Sequence, residues 1–234
     1  MTERKPRHDA ASHGHLTEID TWLFDLDNTL YPSGAAVFPQ IHRRMTDFIK
    51  AELGVDEAEA VAHRSRYYRD YGTTMRGMMV ERGTDPRAFM DYVHAIDLTC
   101  LDPAPRLGAA IARLPGRKLI FTNASSRHAT NVLGRLGISH HFEALFDVED
   151  CGWLPKPDLA GYRALIAKHG VDTKRAAMID DIPRNLEPAA ALGMTTVWVC
   201  EPGDPRWNKE APAHDHIDHV TGDLVAWLEA VPVR

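Results

Sequence analysis

The chain has 234 residues, 44% of them apolar and 26% charged, which sets it among soluble globular chains with room for a full core and a smaller second unit. Lys and Arg number 27 against 33 Asp and Glu, a formal charge of −6. That balance excludes a broad nucleic-acid surface, which is basic. No apolar run reaches the length of about 18 residues that a membrane span needs.

The three cysteines, Cys100, Cys151 and Cys200, are far apart and form no CxxC pair. Neither a disulfide framework nor a zinc site is expected, only buried thiols in a reducing compartment. The N-terminal stretch lacks the apolar centre of a secretory signal, so the expected location is cytoplasmic.

Residues 1–17 are polar and aperiodic and read as a disordered tail, with His13 and His15 solvated rather than metal-bound. Thr21 to Asp25 reads as the first strand. Trp22, Leu23 and Phe24 are followed by two acids, Asp25 and Asp27, which a continuing strand would place on one side. Tyr31-Pro32-Ser33-Gly34 is a turn signal. Residues 37–105 then read as helices. Phe38, Ile41, Met45, Phe48 and Ile49 recur at helical steps, a second run starts at Asp56, a third follows Tyr71-Gly-Thr-Thr-Met-Arg76-Gly77, and a fourth begins at Asp85-Pro86. No strand signal interrupts them, so they form a helical module inserted after the first strand.

From Pro105 onward helices and strands alternate. Helices are expected at 107–114, 126–136, 157–168, 186–192 and 222–231, and strands at 117–121, 144–148, 176–179 and 195–200. Residues 202–212 read as loop and 216–220 as a short edge strand. Such alternation implies βαβ units and a parallel sheet, an α/β fold.

The chemically suggestive residues all fall just past strands: Asp25 and Asp27, Thr122 and Asn123, and Asp180 and Asp181. Lys156 lies in a Pro-Lys-Pro loop before a helix. A parallel sheet brings its strand ends to one edge, so these groups converge. Each alone has an ordinary explanation: a helix cap for Thr122-Asn123, a solvated loop lysine for Lys156, turns for the acidic pairs. Together they suit phosphoryl chemistry. Thr122 offers a hydroxyl, the backbone at Asn123 and Ala124 opens a helix whose amides favour an anion, Lys156 offers a charge, and the acids offer hard oxygens for Mg²⁺.

Asp25-Leu-Asp27-Asn-Thr-Leu, Thr122-Asn123, Lys156-Pro157 and Asp180-Asp181-Ile-Pro-Arg-Asn185 resemble, in order, the four motifs of the haloacid dehalogenase superfamily. Asp-Asn-Thr-Leu-Tyr-Pro, Tyr71-Gly-Thr-Thr-Met-Arg76-Gly77 and Phe121-Thr-Asn-Ala124 resemble its pyrimidine 5′-nucleotidase-like branch. The resemblance implies a Rossmann-like parallel-sheet core, residues 18–34 and 106–234, with an all-helical C1-type cap at 35–105. It implies Asp25 as nucleophile through an aspartyl-phosphate, Asp27 as acid and then base, and Lys156 steadying Asp25. Thr122 and the Asn123 amide would hold phosphate oxygens. Mg²⁺ would be held by Asp25, the Asp27 carbonyl and the Asp180–Asp181 pair, with Asn185 bonded behind them. A carboxyl two residues after the nucleophile favours phosphate esters over dehalogenation. Tyr71, Thr73, Thr74 and Arg76 are candidates for facing the site from the cap.

The expected function is a Mg²⁺-dependent phosphomonoesterase for a small phosphorylated metabolite, with a pyrimidine nucleoside 5′-monophosphate favoured. Phosphoglycolate or a sugar phosphate is the alternative substrate. A phosphate-donating mutase ranks lower, and a non-catalytic phosphate-ligand binding module is the rival of another class.

Overall fold

The computed structural model describes residues 16–200 and 215–232. The residues of the expected N-terminal tail up to 15, including His13 and His15, the loop at 202–212, and His214 lie outside the described residues. The tail reading extends too far. Residues 16–18 form a short 3₁₀ turn and Leu16 is 0% exposed, because it and Ile19 join the apolar cluster under the first strand.

Six strands form one parallel sheet: β1 (Thr21–Phe24), β2 (Arg117–Phe121), β3 (Ala144–Phe146), β4 (Ala176–Asp180), β5 (Thr195–Val199) and β6 (His219–Thr221). Their order is β3-β2-β1-β4-β5-β6, and every pair is parallel. The chain therefore steps outward in one direction from β1 and in the other from β4. The reversal lies between β1 and β4, the crevice where open α/β sheets bind ligands.

Both faces of the sheet are covered, which explains why the central strands read as continuous apolar runs. Alternation still sorts them. Trp22, Phe24, Ile120, Ile179 and Val197 share one cluster with α5 (Pro105–Arg113), α6 (Ser126–Leu136) and α9 (Leu224–Ala230). Leu23, Phe121, Met178 and Trp198 share the other with α7 (Leu159–His169) and α8 (Pro183–Ala191). Gly116 turns the chain into β2 at φ +72°, and a Cβ there would lie 2.0 Å from the Asp20 carbonyl, so only glycine lets the two backbones meet.

Between β1 and α5 lie α1 (Val37–Leu53), α2 (Glu57–Tyr71), α3 (Thr74–Arg82) and α4 (Pro86–Val93). They match the four helical runs of the sequence. Asp56 and Glu59 close a capping box at the start of α2, a pairing that satisfies two end donors at once. Tyr67, Met75, Met78 and Phe89 form a third apolar cluster. Gly77 sits where a Cβ would be 2.4 Å from the Tyr67 ring, so α2 and α3 pack at glycine distance. Val37 and Ile41 of α1 belong to the sheet cluster instead, which ties the root of the cap to the core.

Three smaller differences from the sequence reading have local causes. Cys100 is exposed while Cys151 and Cys200 are buried, and none of the three is in a disulfide. The helix α8 begins at Pro183, three residues early, since proline suits the first turn. The last strand is shorter and later than 216–220, and His216 instead contacts the Pro183 carbonyl at 2.9 Å. No helix among the described residues is long and apolar enough to cross a membrane.

Candidate active site

The strand β1 stops at Phe24, and the Asp25 amide still bonds the Ile179 carbonyl at 2.8 Å. The next residues leave the sheet through Asn28, which takes φ 61°. Asp25 and Asp27 are therefore not two same-side residues of a strand, and the period-two argument for them fails. The turn separates their carboxyls and gives each its own partners.

Asp25 is buried. Its Oδ1 accepts from Lys156 Nζ at 2.8 Å and its Oδ2 from the Thr29 hydroxyl at 2.9 Å. Lys156, 2% exposed, also donates to Asp180 Oδ2 at 2.7 Å and to the Phe121 carbonyl at 2.8 Å. One ammonium thus ties the ends of β1, β2 and β4 together. Asp180, fully buried, is filled further by the Ile182 amide at 2.9 Å and the Asn185 amide group at 3.1 and 3.2 Å. Asn185 holds a ligand candidate from behind, as the sequence suggested.

Asp25, Asp180 and Asp181 present carboxylate oxygens all within 4.8 Å of one another. With one lysine among three acids, the ionised group carries a charge of −2. Burial, offset by Lys156 and reinforced by Asp180, pushes Asp25 up to about 7. A divalent cation with a preference for oxygen donors fits this set in charge and in chemistry. The Asn185 Oδ1 is buried without a partner, and Asp181 lines the cavity while Asp180 does not.

The Asp27 carboxyl stands apart from that cluster. Its Oδ1 meets His128 Nε2 at 2.9 Å and the Tyr31 hydroxyl at 2.5 Å. Burial alone would raise it, but the His128 charge and the bonds from His128 and Tyr31 outweigh burial and lower it. His128 is 1% exposed and stacks on His94 of the cap, ring centroids 4.3 Å apart. His94 Nδ1 lies 2.9 Å from the Ser125 hydroxyl. Sequence reasoning assigned His128 no role. Its position two residues into α6 placed it near the strand ends, and that was the available signal.

Thr122 is buried and its hydroxyl accepts from the Ala124 amide at 3.0 Å. The Asn123 side chain clamps the Lys156 backbone, accepting from its amide at 2.7 Å and donating to its carbonyl at 3.1 Å. The expectation that Asn123 and Ala124 open the next helix is corrected. That helix starts at Ser126 with Ser125 as its cap, and the Ser126 amide and hydroxyl are taken by Asp147 at 2.7 and 2.6 Å. The helix end already has its own anion.

A cavity of ≈ 560 Å³ lies over Asp25, Asp27, Thr122, Asn123 and Asp181 and extends under the cap. Thr73 and Thr74 line it, whereas Tyr71 and Arg76 do not. The Tyr71 hydroxyl instead donates to Glu81 at 2.9 Å, on a carboxylate that also pairs Arg66. The Thr73 hydroxyl caps α3 by accepting from the Arg76 amide at 3.1 Å. The cap residues that do reach the cavity include Phe38, Met45, Arg64 and Tyr68, with Arg184 below them. Phe38 and Met45 were read from sequence only as part of an apolar stripe, and none of these residues was expected at the site, since a helical stripe does not say which residues overhang a distant strand edge.

Comparison with known proteins agrees with this arrangement. Residues 19–193 match the family described as haloacid dehalogenase-like hydrolase. Phosphate metabolism protein 8 of Saccharomyces cerevisiae is 28% identical over 74% of this chain, which spans only 59% of that relative. Glyceraldehyde 3-phosphate phosphatase of Methanocaldococcus jannaschii is 29% identical over 76% of this chain and 83% of its own length. Among solved structures, a haloacid dehalogenase-type phosphatase from Thermococcus onnurineus has a TM-score of 0.61 at 17% identity, covering 89% of this chain and 96% of that one. A 2-haloacid dehalogenase from Pseudomonas syringae pv. Tomato has a TM-score of 0.56 at 20% identity, covering 91% and 97%. These two likenesses speak to fold alone. The sheet order, the placement of the four motifs at one edge and the match over residues 19–193 together show that the chain belongs to the haloacid dehalogenase-like hydrolases.

Proposed function

We propose that this hydrolase is a Mg²⁺-dependent phosphomonoesterase that works through an aspartyl-phosphate on Asp25. The observation that carries the reading is the division of labour between two neighbouring carboxyls. Asp25 is oriented by Lys156 and Thr29, and Asp27 is held separately by His128 and Tyr31. Paired acids in distinct environments mark distinct roles.

In this mechanism Asp25 attacks the phosphorus and the ester oxygen leaves. Asp27 delivers a proton to that oxygen, then takes one from the water that cleaves the acyl-phosphate. The lowered value of Asp27 suits the base half of the cycle. Approach of a phosphate dianion raises a carboxyl, which suits the acid half. Lys156 keeps Asp25 in place and offsets the charge of Asp180. Thr122 contributes a hydroxyl toward the transferring group. Asp25, Asp181 and Asp180, with the Asp27 carbonyl, would hold Mg²⁺, which when bound shields the carboxylates and phosphoryl oxygens from one another. A binding module has no need of both a nucleophile and an acid.

For the substrate, the geometry favours a small phosphorylated metabolite. Tyr71 and Arg76, two of the four residues expected to face the site from the cap, do not line the cavity, and the Tyr71 hydroxyl is bonded to Glu81. A relative with 29% identity bears the name glyceraldehyde 3-phosphate phosphatase. The pyrimidine nucleoside 5′-monophosphate reading keeps one support, the rings of Phe38, Tyr68 and Phe89 along the cavity wall, and ≈ 560 Å³ is ample for either.

The test is phosphate release from UMP, CMP, dTMP, AMP, GMP, 2-phosphoglycolate, glyceraldehyde 3-phosphate and several sugar phosphates, with Mg²⁺ or with EDTA. Metal-dependent release that Asp25→Asn abolishes is the expected result. Release led by pyrimidine nucleotides would restore the nucleotidase reading. Binding without release from any ester would replace the enzyme with a binding module.

A further inference from the structure

Two arginines line the cavity with no salt bridge to a carboxylate among the described residues. Arg64, on α2, donates Nη1 to the His42 carbonyl at 2.9 Å and to the Thr46 hydroxyl at 2.8 Å. Arg184, on α8, crosses to the cap. Its Nη2 donates to the Gly72 carbonyl at 3.1 Å, its guanidinium lies 4.6 Å from the Tyr68 ring centroid, and its Nε is buried without a partner. All of these partners are neutral. Four arginines outside the cavity lining have carboxylate partners, Arg66 with Glu81, Arg87 with Glu149, Arg106 with Glu229 and Arg117 with Glu143, while Arg44 and Arg135, also outside it, are held by backbone carbonyls.

A guanidinium keeps its charge at any working pH. Withdrawing it partly from water with no counter-ion is unfavourable until an anion arrives. Burial holds Arg64 below its ordinary value, against a weaker opposing pull from Glu57. Buried donors left without partners are rare in native proteins, and Arg184, which carries one, lines the cavity. The transferring phosphoryl group has its own partners at the strand ends, which leaves these two cations with no task in the reaction centre.

We propose that Arg64 and Arg184 form a subsite for a second oxyanion of the substrate, a carboxylate or a phosphate carried by the leaving group. The inference rests on the phosphomonoesterase reading for the position of the leaving group. It makes the preferred substrates doubly anionic metabolites rather than esters of neutral alcohols.

The test uses matched esters that differ only in the second anion. One pair is 2-phosphoglycolate and 2-hydroxyethyl phosphate; the other is 1,3-propanediol bisphosphate and its monophosphate. The expected result is a kcat/KM at least tenfold higher for the anionic member of one pair, and which pair shows it tells carboxylate from phosphate. Arg64→Gln and Arg184→Gln should each cut that ratio by roughly ten- to hundredfold, the range of a charge-assisted hydrogen bond, and Arg184→Lys should return part of it. A wild-type ratio near one, or equal losses on both members of a pair, would overturn the subsite. If Arg184→Gln fails to fold, Arg64→Gln decides. Calorimetric binding of the same esters to Asp25→Asn protein separates the two readings. Absence of turnover on every ester sinks the phosphatase, while a binding preference for the anionic member that Arg64→Gln removes in this background still supports the subsite. No binding preference in that background refutes it.

Discussion

Lys156→Met isolates the electrostatics of the site. Methionine matches the lysine stem but removes three hydrogen bonds, to Asp25 at 2.8 Å, Asp180 at 2.7 Å and the Phe121 carbonyl at 2.8 Å. Two carboxyls that are 7% and 0% exposed lose their shared cation. Removing one partner of a buried pair costs about 3–5 kcal/mol. Urea m-values reach about 3 kcal/mol/M for chains of this size, so the midpoint should fall by about 1–1.7 M. The sign with pH follows from Asp25. Its folded value, about 7, already exceeds the ordinary 3.8, and losing the ammonium raises it further. A carboxyl raised in the folded state favours folding below its unfolded value and loses that contribution as pH rises. The deficit of the variant should therefore be smaller at pH 5 than at pH 8. Urea unfolding of both proteins in EDTA at the two pH values measures it. A loss under about 1 kcal/mol, or one that does not change with pH, would refute the account of a shared buried cation.

Three further outcomes are expected. In wild-type protein the raised Asp25 loses stability between pH 3.8 and about 7, and a cation must displace its proton, so the melting temperature gained on adding Mg²⁺ should grow from pH 5 to pH 8; a constant gain would exclude Asp25 from the metal. His128→Leu removes the main influences that hold Asp27 down, so the acid limb of the pH–rate profile should move to higher pH with kcat lowered roughly tenfold or more, and an unmoved limb would separate His128 from Asp27 in the reaction. Gly77→Ala places a methyl within 2.4 Å of the Tyr67 ring and should cost about 1–3 kcal/mol, read by thermal unfolding, while Gly134→Ala, with open space around its Cβ position, should cost nothing or stabilise.

The sequence alone determined the order of elements and the edge at which they act. Buried apolar runs ending in Asp25, Thr122 and Asp180 are local signals, and parallel connection leaves one edge for them to share. Helix ends were legible where a local side chain or glycine makes them, as at Asp56, Gly137 and Gly170. Only the tertiary structure decided what depends on distant segments. The turn at Asn28 sends Asp27 to His128, 101 residues further along the chain, and no local pattern encodes that pairing. Glu81 of α3 takes the hydroxyl of Tyr71 at the end of α2, and Arg64 of α2 and Arg184 of α8 line the cavity instead. Periodicity tells which face of a helix is apolar, but the rotation of one packed helix over another is set by side-chain shape at contacts such as Gly77 on Tyr67. For that reason the groups at the strand edge could be read along the chain, while the cap residues that line the cavity emerged only once the cap was seated on the sheet.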